Sequence, residues 1–222
     1  MLAIMSIVTF NVLCKRTALH PSNPNCDETT VYMQNIPTIE TDRLRLRAVV
    51  ATDRDDIFDI FSDDEVIRYY DVEAFTSTEQ AAGVIDGFAQ WFQRQEAVRW
   101  GVTLIDSGKL IGTCCFDGIH TPFRRANLGY NLGSAYWRQG YALEACQAIV
   151  DFAFSKGLFG PIHRVQAITV PENSASEFLL DKLGFQHEAV LQHYGFWKGL
   201  PRDMNMFALL KENYNGNASG KS

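Results

Sequence analysis

The spacing of apolar and polar positions changes several times along this 222-residue chain, and each change marks a new structural element. Residues 44–49 alternate apolar and polar side chains, which predicts a half-buried strand. A helix is predicted over 53–61 and a longer one over about 77–95, because apolar residues there recur three and four positions apart. The patterned part of the chain therefore opens with one strand and two helices.

The second half of the pattern consists mainly of strands. Residues 106–109 (DSGK) are a hairpin turn signal between two of them, and Gly157 and Gly184 stand where helices should end. The predicted strands cover 100–105, 110–116, 126–132, 164–170, 185–196 and 203–210, and the predicted helices cover 140–156 and 173–183. The order β-α-α-β-β-β-α-β-α-β-β predicts a single α/β (α+β) domain with a mixed, mostly antiparallel twisted sheet flanked by helices.

The two ends of the chain lack this pattern. Residues 1–13 are largely apolar, but they are too few to span a membrane, and the positive charges of Lys15 and Arg16 follow them rather than precede them, unlike a signal peptide. Residues 20–30 have the polar and proline-rich composition of a linker. We therefore expect an extension and linker over 1–37, a domain over 38–214 and a flexible tail over 215–222. Our hypothesis is that residues 1–32 are poorly ordered and arise from an upstream start codon.

Composition narrows the classes of partner. The hydrophobic fraction of 46% suits a globular domain, and the net charge of -6 disfavours direct nucleic-acid binding while suiting a cationic partner or solubility alone. Cysteines occur at Cys14, Cys26, Cys114, Cys115 and Cys146, without a CxxC pair or zinc spacing. We expect reduced thiols, a cytoplasmic protein without metal or membrane partner, and either a monomer or a homodimer.

The first chemical motif lies at the start of the helix predicted from residue 140. A helix N-terminus presents unpaired N–H groups and a positive dipole end, and Gly140 with small Ala142 would let phosphate oxygens approach them. Tight packing of the helix on the sheet explains the same two residues, and taken alone this explanation is the stronger one.

A second motif opens the helix predicted from residue 173. Asn173 can cap this helix, with Ser176 at its third position, and local capping alone explains both residues. In the functional interpretation, Asn173 hydrogen-bonds an extended amide-bearing arm and the Ser176 hydroxyl lies near a departing thiolate.

Together with four further segments, these motifs resemble the GNAT acetyltransferase superfamily and, within it, the RimJ/RimL-like protein N-acetyltransferases. The two motifs supply segments 141–145 (YALEA) and 173–176 (NSAS). The four further segments are 40–47 (ETDRLRLR), 128–130 (LGY), 182–185 (KLGF) and the final hairpin containing Gly199 and Asp203. The similarity runs over about residues 39–213. The occurrence of these segments in this order is specific for the family, but it does not indicate which acceptor amine is used.

The resemblance implies acetyl-CoA as the donor and direct attack by a primary amine. It implies that the sheet splays at its central parallel strand pair and that the donor's arm lies in this opening. The implied donor-binding residues are Tyr130, Leu132, Trp137, Arg138, Gln139, Gly140, Tyr141, Ala142, Asn173 and Ser176. Ser176 is the residue implied to protonate or hydrogen-bond the CoA sulfur, and Tyr194 is a second candidate catalytic residue. Core packing is, however, the better explanation of both Tyr130 and Tyr194.

Three departures from the family pattern leave the general base unassigned. A family tyrosine is replaced by Leu180, a carboxylate in the final hairpin by Gly195, and a glutamate before the LGY strand by Asn127. Glu144 and Glu188 are nearby in sequence, but capping and a solvated strand face explain them equally well.

A missing base favours an acceptor that loses its proton easily. An α-amine, with a pKa of about 7.8, loses its proton more easily than a lysine at about 10.4, a difference of roughly 3.5 kcal/mol. The expected function is therefore acetylation of a protein or peptide N-terminus of the ribosomal-protein type. The alternatives are acetylation of a polyamine, an amino acid or an aminoglycoside, and a non-catalytic acyl-CoA sensor.

Overall fold

The computed structural model describes residues 3–4, 36–197, 199–214 and 216. Its strands are β1 Ala3–Ile4, β2 Ile39–Glu40, β3 Leu44–Ala48, β4 Ala97–Leu104, β5 Leu110–His120, β6 Arg125–Leu132, β7 Arg164–Thr169, β8 Gln186–Trp197 and β9 Leu200–Leu210. Its α-helices are α1 Arg54–Phe61, α2 Asp64–Ile67, α3 Thr78–Gln93, α4 Tyr141–Lys156 and α5 Ser174–Lys182.

These strands form one mixed sheet with the order β2-β3-β4-β5-β6-β7-β9-β8, and β1 pairs separately with β6. Every pair is antiparallel except β6 with β7, whose register joins only Arg125 to Asn127 of β6 with Arg164 to Gln166 of β7. The strands part after this point. The predicted fold class, a mostly antiparallel sheet splayed at one parallel pair, is confirmed.

Adjacent residues on β4 show that helices cover both faces of the sheet. The Arg99 guanidinium lies 4.8 Å from the ring centroid of Phe88 on α3, whereas Trp100 makes an edge contact with Phe152 on α4 at 6.0 Å. We call these two sides the α3 face and the α4 face. Because successive side chains of a strand point to opposite faces, the register assigns every β5 and β6 residue to one of them.

Helix boundaries follow the capping signals. Ser77 and Gln80 form a reciprocal capping box at the start of α3, so two otherwise unpaired N–H groups are satisfied. At the start of α5, the Asn173 side chain accepts from the N–H of Ser176. The strands and helices predicted from the sequence are present with shifts of a few residues, whereas the short α2 and the two-residue β2 were not predicted.

The N-terminal extension is described only in part. Ala3 pairs with Asn131 and Ile4 with Tyr130, so β1 lies along β6 where β7 has diverged. Most of the region predicted to be disordered, like the C-terminal tail except Gly216, lies outside the described residues, and so do Cys14 and Cys26. The other three cysteines are buried and free, and burial raises the pKa of the Cys115 thiol to about 12.

Within the described ranges, no helix is long and apolar enough to cross a bilayer, and no group of three or more His, Cys, Asp or Glu side chains could hold a metal ion.

The contact between β5 and β6 leaves no room for a side chain at Gly112. A Cβ atom there would lie 2.3 Å from the carbonyl oxygen of Asn131 and 3.0 Å from Cα of Leu132. We predict that Gly112→Ala lowers the free energy of unfolding by about 1–3 kcal/mol, because backbone must move. Gly195→Ala is the control, since its Cβ would meet nothing within 4 Å. Urea denaturation of both variants checks this, and equal stability would contradict it.

Candidate active site

The start of α4 has the geometry of an anion-binding helix N-terminus. Gly140 is the N-cap residue, and its φ of 83° lies in the left-handed region that favours glycine. The helix behind it runs for 16 residues, so its first N–H groups and the positive end of its dipole face outward at this point. Ala142 is buried against the sheet. The predicted phosphate-binding residues therefore lie at one helix end.

A cavity of about 570 Å³ joins this helix end to α5. Arg138 and Lys182 place two positive side chains on its wall, which complements a polyphosphate. The remaining lining is mostly apolar and comprises Leu132, Tyr136, Gly140, Tyr141, Ala142, Leu143, Ser174, Ala175, Phe178 and Leu179. The cavity thus combines the N–H groups of a helix start and two cationic side chains with a largely apolar lining, which suits a ligand with both a charged and an extended apolar part.

Glu144 and Arg43 hold the start of α4 against the start of β3. Glu144 accepts hydrogen bonds from the Thr41 hydroxyl at 2.6 Å, the Arg43 backbone N–H at 3.0 Å and the Arg43 Nε at 2.7 Å. Arg43 also donates to the carbonyl of Gln139 at 2.9 Å. Burial opposes ionisation of Glu144, but the hydrogen bonds from Thr41 and Arg43 prevail and lower its pKa. Glu144 is thus an anchor of the loop, a role that sequence spacing alone did not reveal.

Side-chain hydrogen bonds fix the loop before α4. Trp137 donates from its indole Nε1 to the carbonyl of Leu132 at 2.8 Å, and Gln139 donates to the carbonyl of Ala135 at 2.9 Å. The Trp137 ring therefore braces the end of β6.

Two neighbours of Gly140 complete this loop. Arg138 has a positive φ of 60°, which is uncommon outside glycine and turns the chain toward the helix. The Tyr141 ring lies under the Arg43 guanidinium, 4.4 Å from its Cζ atom.

Ser176 and Tyr130 form a buried pair on the α4 face. The Tyr130 hydroxyl donates to Ser176 Oγ at 3.1 Å, and the two residues are 2% and 0% exposed. Burial raises the pKa of Tyr130, so its hydroxyl stays protonated and acts as a donor. Tyr70, which the sequence did not suggest, donates from its hydroxyl to the carbonyl of Tyr130 at 3.0 Å. The neighbouring Asn173 accepts from the N–H of Ser176 at 3.3 Å, so it does cap α5.

The remaining candidate residues lie elsewhere. Tyr194 is 47% exposed on β8, so the expectation that it packs in the core is wrong, and no described hydrogen bond joins it to Ser176. Leu180 is fully buried in α5, and Glu188 is paired with Arg164. Asn127 donates to Asp117 at 3.2 Å; Asp117, 1% exposed, is a buried carboxylate that the sequence did not single out.

Comparison with known proteins identifies the class. The sequence profile of the acetyltransferase (GNAT) domain matches residues 43–186. The Bacillus subtilis protein YoaA, an uncharacterized N-acetyltransferase, is 41% identical over 176 residues, which cover 79% of this chain and 97% of YoaA. The chain therefore belongs to the GNAT acetyltransferase family and is an N-acetyltransferase.

More distant relatives extend this result. The Escherichia coli ribosomal protein uS5-alanine N-acetyltransferase is 28% identical, covering 80% of this chain and 94% of its own. The crystal structure of the microcin C7 self-immunity acetyltransferase MccE, in complex with acetyl-CoA and AMP, superposes with a TM-score of 0.70 at 19% identity, covering 77% of this chain and 93% of that one. The last comparison shows the shared fold.

Gly140 provides a test of the anion-binding end. Gly140→Val would place a branched side chain beside the free N–H groups and in a backbone region that costs a valine about 1–2 kcal/mol. We predict that acetyl-CoA affinity, measured by calorimetry, falls about tenfold or more. Gly199→Val is the matched control, because its φ of 77° imposes the same strain in open space. Unchanged donor affinity in Gly140→Val would exclude this helix end as the phosphate site.

Proposed function

We propose that the chain transfers the acetyl group of acetyl-CoA to the α-amino group of a protein or peptide N-terminus, of the ribosomal-protein type. The observation that carries the donor half is the cavity joining the N-terminus of α4 to α5. The choice of an α-amine acceptor is supported by the relative named as a ribosomal protein uS5-alanine N-acetyltransferase. It is also supported by the lower pKa of an α-amine compared with a lysine side chain.

The residues around this cavity fit the chemical groups of acetyl-CoA. The first N–H groups of α4, at Tyr141 and Ala142, would hold the pyrophosphate, and Arg138 and Lys182 would balance its charge. The amide-bearing arm would lie along β6 where β7 has diverged. That is the position of β1 in the structure, so in this proposal β1 leaves β6 when the donor binds.

The acceptor amine must be neutral when it attacks. A peptide N-terminus with a pKa of about 7.8 needs roughly 3.5 kcal/mol less help in losing its proton than a lysine side chain with a pKa of about 10.4. Glu144 and Glu188, the two carboxylates that the sequence offered as bases, are both engaged by arginines, Arg43 and Arg164. An acceptor that needs little help from a base is the better match to these residues.

The buried Ser176–Tyr130 pair would serve the leaving group. The amine nitrogen attacks the thioester carbon, the C–N bond forms, the C–S bond breaks, and the nitrogen gives its proton to solvent. The sulfur leaves as a thiolate, which would accept a hydrogen bond from the Ser176 hydroxyl and then take a proton from solvent. Because Tyr130 donates to Ser176 Oγ, the serine proton is directed away from Tyr130.

The acceptor is tested with a panel at equal concentration: peptides beginning with alanine or serine, an N-acetylated peptide with a free lysine, spermidine and an aminoglycoside. Thiol release from acetyl-CoA reports turnover. We expect kcat/KM for the free N-termini to exceed that for the lysine peptide by about 10²-fold, in line with the difference in pKa. Preference for lysine, spermidine or the aminoglycoside would replace the proposed acceptor, and donor binding without any turnover would favour a sensor.

Ser176→Ala separates a chemical role from a structural one. We expect kcat on the best acceptor to fall by about 10²-fold with acetyl-CoA affinity unchanged, because the hydroxyl acts after the donor is bound. Tyr130→Phe, which removes only the hydrogen bond to Ser176, should give a smaller loss. The control is Ser155→Ala, an exposed serine on α4 that bonds only backbone carbonyls of its own helix. A change in thermal stability with normal kcat would make Ser176 only a helix residue.

A further inference from the structure

The α3 face of the sheet carries a buried positive charge that the proposed function does not use. Arg99 is only 9% exposed, and its one described hydrogen bond joins Nη1 to Thr113 Oγ1 at 2.8 Å. The Phe88 ring also lies across the guanidinium. Among the described residues Arg99 forms no salt bridge. Burying a charge without an opposite charge is costly, so a buried guanidinium is normally paired with an anionic group.

On the neighbouring strand β5, the carboxylate that the register places on this face beside Arg99 is Asp117. Arg99 is opposite Cys115 on β5, so Thr113 and Asp117 are its two diagonal neighbours. The guanidinium bonds Thr113 and thus points along β5 away from Asp117. Asp117 is instead bonded by Asn127. The positive charge is therefore directed toward the part of β6 that contains Asn131.

Asn131 presents a second unmatched donor at this position. Its side chain is fully buried, and its Oδ1 accepts from the N–H and the hydroxyl of Thr113 at 3.0 and 3.3 Å. These two bonds fix the orientation of the amide, so Nδ2 points away from Thr113, and it is buried with no hydrogen-bond partner in the described part of the chain. An unsatisfied buried donor costs about 1–3 kcal/mol. The Tyr70 hydroxyl lies beside Asn131 and within the field of Arg99, and its own proton goes to the Tyr130 carbonyl. Two donor groups, an amide and a guanidinium, thus lie together on this face, and neither has a negatively charged partner among the described residues.

This place lies across the sheet from the pair proposed to serve the leaving group. Tyr130 points to the α4 face and bonds Ser176, whereas the next residue, Asn131, points to the α3 face. Because Tyr130, Ser176 and α5 fill the α4 side of the splay, an amine that attacks a thioester held there would approach from the α3 face. The remainder of the acceptor would then lie near Asn131 and Arg99.

We propose that Arg99 and Asn131 form an oxygen-binding site that holds the carbonyl or carboxylate group next to the acceptor's amine. This inference rests on the proposed function, and it names two residues that determine acceptor specificity. A peptide N-terminus or a free amino acid has such an oxygen close to its amine. A polyamine has none and brings further positive charge toward Arg99, so the site disfavours it.

Calorimetry on the CoA-bound protein tests this site without requiring turnover. The probes are an alanine-initiated tripeptide amide, free alanine and spermidine, and the variants are Arg99→Met and Asn131→Asp. Asn131→Asp keeps the side-chain shape but offers Arg99 an ion-pair partner that occupies its donors. Each variant should weaken tripeptide binding about tenfold or more, leave CoA affinity unchanged and leave spermidine binding unchanged or tighter. Arg94→Met, the same change at an exposed arginine that ends α3, is the control.

The outcomes separate this site from the proposed function. The site would be overturned if neither the tripeptide amide nor alanine bound to the wild-type protein. It would also be overturned if the two variants weakened the binding of all three probes equally. An Asp117→Asn variant that reproduces the Arg99→Met losses would also overturn it, since Arg99 would then be the partner of Asp117. Comparison of alanine with the tripeptide amide decides whether a carboxylate or a carbonyl is held. Tripeptide binding that depends on Arg99 without acetyl transfer would count against the proposed function alone.

Discussion

The parting of β6 from β7 is the constraint on which the rest of this molecule depends. These two strands form the one parallel pair among the described strands, and their register ends at Asn127 and Gln166. A parallel pair needs a crossover connection, which here contains α4, and α5 follows β7 directly. The helix starts that carry Gly140 and Asn173 therefore open on the same gap. The cavity between α4 and α5 follows from this topology.

Once the gap exists, the backbone of β6 in it needs a partner. Buried N–H and C=O groups are costly when unpaired, and in the structure β1 satisfies β6 at Tyr130 and Asn131. An extended amide-bearing molecule offers the same hydrogen-bonding groups as a strand. The unpaired backbone of β6 in the gap therefore explains why β1 lies there. It is also the reason why we propose this gap for a pantetheine arm.

The two faces of β6 divide the chemistry between them. On the α4 face, Tyr130 and Ser176 form a neutral, buried hydroxyl pair suited to a sulfur that leaves with negative charge. On the α3 face, the Arg99 guanidinium bonds Thr113, and Asn131 Nδ2 has no hydrogen-bond partner in the described part of the chain. Period-2 alternation along a single strand thus separates the group proposed to serve the leaving thiolate from the groups proposed to orient the acceptor. Neighbouring residues can take different roles because the sheet lies between them.

The sequence by itself determined the local features: most strands and helices, the left-handed glycine at 140 and the capping asparagine at 173, because these depend on residues a few positions apart. It also indicated the family, since its motifs are local segments in a fixed order. Only the tertiary structure decided which distant residues meet. Arg43 and Glu144 are 101 positions apart, Tyr130 and Ser176 are 46 apart, and Arg99 and Asn131 are joined through their hydrogen bonds to Thr113. Such contacts depend on strand order and register, and hydrophobic spacing does not encode which strands become neighbours.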